Sequence, residues 1–328
     1  MSIRNPCRAK CVRVTASTAL VVAVTVGWGC VLWGQPAGTE TQGGIWVGRW
    51  EKDAVVASSI HRVSPADGGT YLQPMMHPAG TKVVFWGRGP GEARNDSDIW
   101  VVNVDGTNCD RVTTDHARNE GAAWTADGRI IWSTERAGDP GMRIWVMDAD
   151  GSNAHAVTAG PPPCHDTRPC ASPDGAWAVF GSNRAGGNDQ KLWRALLAGG
   201  GKVESVAGGP GTYGRPVFSH DGKRLAYITT DSPTGKFNLV VKDWPDGRPR
   251  QPVALGPNDN LRGPFWRHDN KTIIVHGRLD NSPVVRCYLI DADTGTWKAV
   301  NVPGSISSGH ITFDRAERIV SFDGSRSK

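Results

Sequence analysis

The sequence predicts an all-β fold, a six-bladed β-propeller of four-stranded blades, and three observations carry that reading. A short turn motif recurs six times at a near-constant interval. The stretches between recurrences read as strands, with no sustained helical periodicity after the first 35 residues. The two chain ends supply complementary parts of one blade.

The repeat comes first, because a missed period misreads the whole fold. Each unit opens with a pattern close to aromatic-Ser-Pro-Asp-Gly, then a basic residue and an apolar run. The copies are Met76-His77-Pro78-Ala79-Gly80, Trp124-Thr125-Ala126-Asp127-Gly128 and Ala171-Ser172-Pro173-Asp174-Gly175. Three more are Phe218-Ser219-His220-Asp221-Gly222, Trp266-Arg267-His268-Asp269-Asn270 and the eroded Phe313-Asp314-Arg315-Ala316-Glu317. Their fifth residues lie 48, 47, 47, 48 and 47 apart.

Within each unit, an apolar run such as Arg224-Leu225-Ala226-Tyr227 follows the turn, and then a polar loop. A strand with an apolar–aromatic pair comes next (Ile99-Trp100, Ile144-Trp145, Leu192-Trp193). It ends at Asp105-Gly106, Asp150-Gly151 or Asp246-Gly247, and Asp-Gly accepts the positive φ that tight hairpins require. A last strand leads away, as in His155-Ala156-Val157-Thr158. Four short strands and their turns fill such a period. Five units are complete, and the sixth has only two strands at the C-terminus. Its outer strands are expected at the other end, from Ile45 to Trp50 and Ser59 to Val63. Joining them closes the ring and covers edges that would otherwise pair with other chains. The propeller is placed at 43–328, after a leader (1–35) and a linker (36–42).

Composition agrees. Forty-one glycines and 22 prolines suit short strands and tight turns, and 14 tryptophans call for wide aromatic packing surfaces. The net charge of +5 invites a nucleic-acid reading, but Arg4, Arg8, Lys10 and Arg13 lie in the leader and no acid precedes Glu40. Those four account for all but one unit of it, so the rest of the chain lacks the basic footprint of a phosphate binder.

The leader runs from a basic stretch into an uncharged, mostly apolar segment, Val14 to Gly34. That order marks either an export signal or an uncleaved N-terminal anchor, and predicts a periplasmic or extracellular propeller attached to membrane at most through this segment. In an oxidising compartment Cys164 and Cys170, which flank a short loop, could form a disulfide; two free thiols is the alternative.

The motifs resemble the WD-like repeat of the TolB propeller family, a pattern of Ser-Pro-Asp-Gly, basic residue, apolar strand, Ser-x-Arg-x-Gly, Ile-Tyr/Trp, Asp-Gly and Leu-Thr. Ser172-Pro173-Asp174-Gly175 with Ser182-Asn183-Arg184 is the nearest copy, and the resemblance spans residues 43 to 328. It implies the propeller and little about its task. TolB carries an α/β domain before its propeller, and here fewer than ten residues separate the apolar leader from the first expected strand. Related propellers accompany hydrolase domains in prolyl-oligopeptidase-like peptidases, but this sequence has no Gly-x-Ser-x-Gly elbow.

In a propeller, loops entering the innermost strands converge on one channel mouth. Aligned repeats put Arg118, Glu120, Asp166, Arg168, Arg215, Arg262 and His310 there, with Tyr71 and Tyr213. Four arginines at one opening could clamp a carboxylate or phosphate, because the guanidinium fork binds such groups bidentately; alternatively they pair with Glu120, Asp166 and backbone carbonyls and hold blades together. His116, His165 and His310 are weak metal candidates, because they occupy different repeat offsets. Asp96, Asp98, Asp139 and Asp189 match no cation-loop spacing. The recurrent Asp127, Asp174, Asp221 and Asp269 belong to turns, and His77, His220 and His268 recur with them.

The expectation is a monomeric, non-catalytic binding or scaffolding propeller of the cell envelope. It needs no cofactor and engages an unidentified envelope protein, peptide or glycan, not nucleic acid. The alternative is a metal-assisted enzyme acting on an acidic sugar, like the oligogalacturonate lyase propeller.

Overall fold

The computed structural model describes residues 41–327, apart from 137, 138, 140, 161–163 and 231–234. The leader and the anchor expected within it lie outside the described residues. Among the described residues there are twenty-four strands. They are β1 (Thr41–Glu51), β2 (Ala54–Val55), β3 (His61–Arg62), β4 (Thr70–Met76), β5 (Lys82–Arg88), β6 (Asp98–Asn103), β7 (Asp110–Arg111) and β8 (Arg118–Trp124). Then come β9 (Ile130–Glu135), β10 (Arg143–Met147), β11 (His155–Ala156), β12 (Asp166–Ala171), β13 (Trp177–Ser182), β14 (Lys191–Leu196), β15 (Glu204–Ala207) and β16 (Thr212–Phe218). The last are β17 (Arg224–Thr230), β18 (Phe237–Asp243), β19 (Asn260–Trp266), β20 (Thr272–Arg278), β21 (Arg286–Asp291), β22 (Trp297–Val300), β23 (Ser305–Phe313) and β24 (Ile319–Ser327).

They form six antiparallel sheets, the blades of a propeller. The first is β4–β7, the second β8–β11, the third β12–β15, the fourth β16–β18, the fifth β19–β22, and the sixth joins β23 and β24 to β1, β2 and β3. The fourth blade departs from the expected four strands. A single bridge between Val241 and Arg250, with bonds of 2.9 and 2.8 Å, stands where its outer strand would be. The sixth blade closes the ring as its sequence predicts: β1 runs antiparallel to β24 from Thr41 opposite Ser327 to Arg49 opposite Ile319.

The core lies between blades. Each large cluster of buried apolar side chains draws on two neighbouring sheets, as where Ile99 and Val101 of the first meet Ile130 and Trp132 of the second. Alternation along each strand sends one set of side chains to each neighbour. Several tryptophans serve these interfaces, and two of their indole N–H groups find backbone acceptors in the neighbouring blade. Trp124 donates to Met75 O at 2.9 Å, and Trp266 to Val217 O at 3.2 Å.

Candidate functional site in the central channel

Every innermost strand breaks register at one shared point, and β23 does so a second time between Ser305 and Ser307. The pairing shifts between Leu72 and Met75, Glu120 and Ala123, Thr167 and Cys170, Gly214 and Val217, Arg262 and Phe265, and Gly309 and Thr312. The first bulged residue in each is left-handed: Gln73 (φ 54°), Gly121 (67°), Arg168 (49°), Arg215 (54°), Gly263 (56°) and His310 (40°). In four blades proline follows, at Pro74, Pro169, Pro216 and Pro264; it carries no N–H, and a bulge leaves a residue outside the ladder in any case. A bulge re-aims side chains, and here it turns one residue per blade toward the axis. Left-handed φ suits glycine and costs other residues about 1 kcal/mol or more. Four of the six blades nevertheless hold a larger side chain there.

The six bulges surround a narrow channel of about 100 Å³, lined by three consecutive residues from each blade and mostly apolar. Polar groups within it are connected. Arg215 Nη1 lies 2.8 Å from His310 Nε2, and His310 Nδ1 lies 2.9 Å from Asp323 Oδ2. A guanidinium only donates, so Nε2 accepts and the imidazole proton sits on Nδ1, facing the carboxylate. Asp323 Oδ2 also accepts the Gln73 amide at 2.8 Å, and Gln73 Oε1 accepts Trp86 Nε1 at 2.9 Å. Burial opposes ionisation of Asp323, but the neighbouring His310, with its hydrogen bond, and the Gln73 amide bring its carboxyl down to about 2. His276 packs beside His310, ring centres 4.5 Å apart. Burial, then His310 and Arg215, push it well below the usual imidazole range, so it stays neutral. Gly263 makes room for the pair: a Cβ there would stand 2.8 Å from His276 Cε1 and 3.0 Å from His310 Cδ2. Arg168 enters from the third blade, its amide held by Ser133 Oγ at 2.9 Å.

No protein-family model matches the chain. An uncharacterized protein of Agrobacterium fabrum is 32% identical over 140 residues, 40% of this chain, and the match spans 46% of that relative's length. Among solved structures, a putative TolB from Agrobacterium tumefaciens superposes with a TM-score of 0.63 at 14% identity, over 88% of this chain and 99% of that one. The fold is that of a TolB-like propeller. TolB from Acinetobacter baumannii (TM-score 0.56, 15% identity, 87% of this chain and 65% of that one) shares it. So does oligogalacturonate lyase from Vibrio parahaemolyticus (TM-score 0.55, 12% identity, 86% and 78%). At such identities the likeness is one of fold.

The TolB-like propeller brings Arg168, Arg215 and His310 together at the channel and takes the other sequence candidates elsewhere. Arg262 is one residue out of step with Arg168 and Arg215, because one repeat is longer. Gly263 holds the equivalent place, and the Arg262 guanidinium lies 4.2 Å from the centre of the Phe237 ring. Arg118 pairs with Glu120 at 2.9 Å. Asp166 is fully buried and accepts Arg184 Nη2 at 2.6 Å and Thr158 Oγ1 at 2.7 Å. Tyr71 bonds Asp67 at 2.9 Å, and Tyr213 stands in a cleft between the third and fourth blades.

Among the described residues no three or more His, Cys, Asp or Glu side chains are grouped to hold a metal ion. His116 is exposed beside Asp96, and His165 Nδ1 accepts the Met142 amide at 3.3 Å. Asp98 is taken by Arg111 and Thr113, Asp139 pairs with Arg143 at 3.0 Å, and Asp189 accepts Thr212 Oγ1 at 3.0 Å. Cys164 and Cys170 are buried free thiols, which corrects the disulfide expectation. The segment between them is largely β12, an extended strand and not a loop. Six residues at about 3.3 Å each far exceed the reach of a disulfide.

Gln73, His276 and Asp323 were missed by the sequence reading. A signal existed: His276 and Asp323 both fall six residues after the last residue of their turn motif, where the first, third and fourth repeats have Trp86, Gly181 and Ile228; in the second, whose turn is one residue shorter, pairing with Glu120 gives Ser133 that place. Cross-strand pairing puts this column directly behind the bulges.

Proposed function

We propose that the protein is a non-catalytic binding propeller of the cell envelope whose channel receives a small anionic group of a protein, peptide or glycan. One observation carries this reading: Arg168 and Arg215 hold equivalent left-handed positions on adjacent blades and line an otherwise mostly apolar channel. Charge-assisted bonds formed in such low-dielectric surroundings are strong and directional. His310 and Asp323 act as positioning residues, anchoring Arg215 so that it meets a ligand pre-oriented. The basic-then-apolar leader supports export, with the propeller outside the cytoplasm and attached, if at all, through residues 14–34.

The test is calorimetric titration of an acidic peptide and an oligouronide into wild type, Arg215→Ala and the exposed-site control Arg248→Ala. Arg215→Ala should bind roughly tenfold more weakly or worse. Equal affinity in all three proteins would overturn the reading.

The oriented His310–Asp323 pair and the fold shared with oligogalacturonate lyase support a second reading, an enzyme acting on acidic sugars. Among the described residues no grouping of His, Cys, Asp or Glu side chains fits a metal centre. Metal analysis of purified protein with an assay for unsaturated oligouronides separates the two readings.

A further inference from the structure

Lys242 breaks a column of the repeat. Its equivalents on the third strands of the other blades are Val102, Met147, Ala195 and Ile290, each at most 1% exposed, and Gly48 in the closing blade. Cross-strand pairing fixes the alignment: Val83–Val102, Ile130–Met147, Ala178–Ala195, Ile273–Ile290 and Val320–Gly48 correspond to Leu225–Lys242. Lys242 is only 6% exposed, and among the described residues its ammonium has one acceptor, Val206 O at 3.4 Å. Among the described residues no carboxylate lies within ion-pair distance of it. Burial holds its pKa below the usual lysine range, with Asp246 opposing and Arg194 adding to the effect. A buried lysine with one long hydrogen bond costs stability where a methionine or valine would supply it.

What it faces is a cleft of about 390 Å³ between the third and fourth blades, roomier than the channel. Tyr213, Tyr227, Thr229, Val240 and Lys242 come to it from one face of the fourth blade, and the opposite wall is the end of β15 at Val206–Gly208. The two tyrosine rings lie 6.1 Å apart and nearly parallel. Among the described residues neither hydroxyl has a hydrogen-bond partner. Tyr227 stands where other blades have Phe85, Trp132, Phe180 and Phe322, so this blade adds a hydroxyl where the cleft opens. Arg250 also lines the cleft, but Asp293 holds its guanidinium at 2.9 Å. Of the described residues that line the cleft, Lys242 is therefore the cation left for a ligand, beside an aromatic wall.

We propose that this cleft is a second binding site, taking a small organic carboxylate whose oxygens meet the Lys242 ammonium and the Tyr227 hydroxyl while its body lies against Tyr213 and Val240. A phosphate would want more donors than one ammonium and two or three hydroxyls supply. The site is independent of the channel.

The experiment measures binding of benzoate, benzamide and inorganic phosphate to wild type, Lys242→Met and Tyr227→Phe, by calorimetry and thermal shift at millimolar ligand. Benzoate should bind wild type and raise its Tm, and benzamide and phosphate should not. Lys242→Met should bind benzoate roughly tenfold more weakly or worse, and without ligand should melt at or above the wild-type temperature. Tyr227→Phe, which keeps the ring and the packing, should weaken benzoate severalfold. Failure of benzoate to bind wild type, equal binding by Lys242→Met, phosphate binding as well as benzoate, or a lower Tm for Lys242→Met would each overturn the proposal.

Discussion

Each blade carries a turn after its innermost strand and a bulge in the middle of that strand, and the two features treat side chains in opposite ways. At the turn, in four of the six blades, the same Asp chemistry recurs because the backbone needs it. Asp174 accepts Ser172 Oγ at 2.5 Å and the Ala176 amide at 3.0 Å; Asp221 does the same with Ser219 and Lys223, and Asp269 with Lys271 and Thr272. These bonds draw the Asp174 carboxyl down, first through Ser172. At the bulge the backbone also recurs, with positive φ in every blade, yet the residues are Gln, Gly, Arg, Arg, Gly and His. Two blades show that glycine satisfies the geometry. The difference separates side chains the fold requires from side chains it merely tolerates, and the tolerated ones crowd the channel.

That contrast can be broken most severely at the closing blade. Removing residues 310–328 takes away the partner of β1 and the fully buried Phe322, so the protein should unfold or aggregate in size-exclusion chromatography. Phe322→Ala alone should cost about 3–5 kcal/mol in denaturant unfolding.

Acid should act next. His268, stacked on His220 with centres 3.5 Å apart, is held to about 4 by burial and then by His220. Its folded pKa lies below the ordinary 6.5, so the unfolded chain binds the proton first. Stability present above pH 6.5 is therefore lost as pH falls toward 4, on the order of 2 kcal/mol. Asp323 extends the loss: its contribution, roughly 2 kcal/mol, is present above pH 4 and disappears as pH falls toward 2. A Tm–pH series should show the first phase flattened in His268→Phe and the second in Asp323→Asn.

Gly263→Ala is the smaller disturbance, combining a left-handed φ with a 2.8 Å approach to His276. It should lower stability by about 1–2 kcal/mol and weaken channel binding together with it.

The ring, the blade count and the closing strands were legible in the sequence, because the turn motif is a backbone requirement repeated at fixed intervals. Arg168, Arg215 and His310 were legible for the same reason. Arg262 misled because a one-residue shift in a strand moves a side chain to the other face, and the interval from the fourth turn to the fifth is 48 residues where the two before it are 47. Asp323 and His276 were hidden because they interrupt apolar second strands, where a repeat search weighs agreement and passes over exceptions. The Cys164–Cys170 pairing failed because Asp-Thr-Arg-Pro reads as a loop, whereas the strand accommodates Pro169 at its bulge.

The central claim is that the channel arginines serve a ligand and not the fold. Arg168→Gly/Arg215→Gly converts both to the residue that the second and fifth blades already carry. Thermal unfolding and calorimetric titration of the acidic peptide on this double variant test the claim together. The account expects an unchanged or higher Tm, since glycine relieves two left-handed φ angles, with binding lost. A variant that melts well below wild type, or that binds the peptide with wild-type affinity, would contradict it.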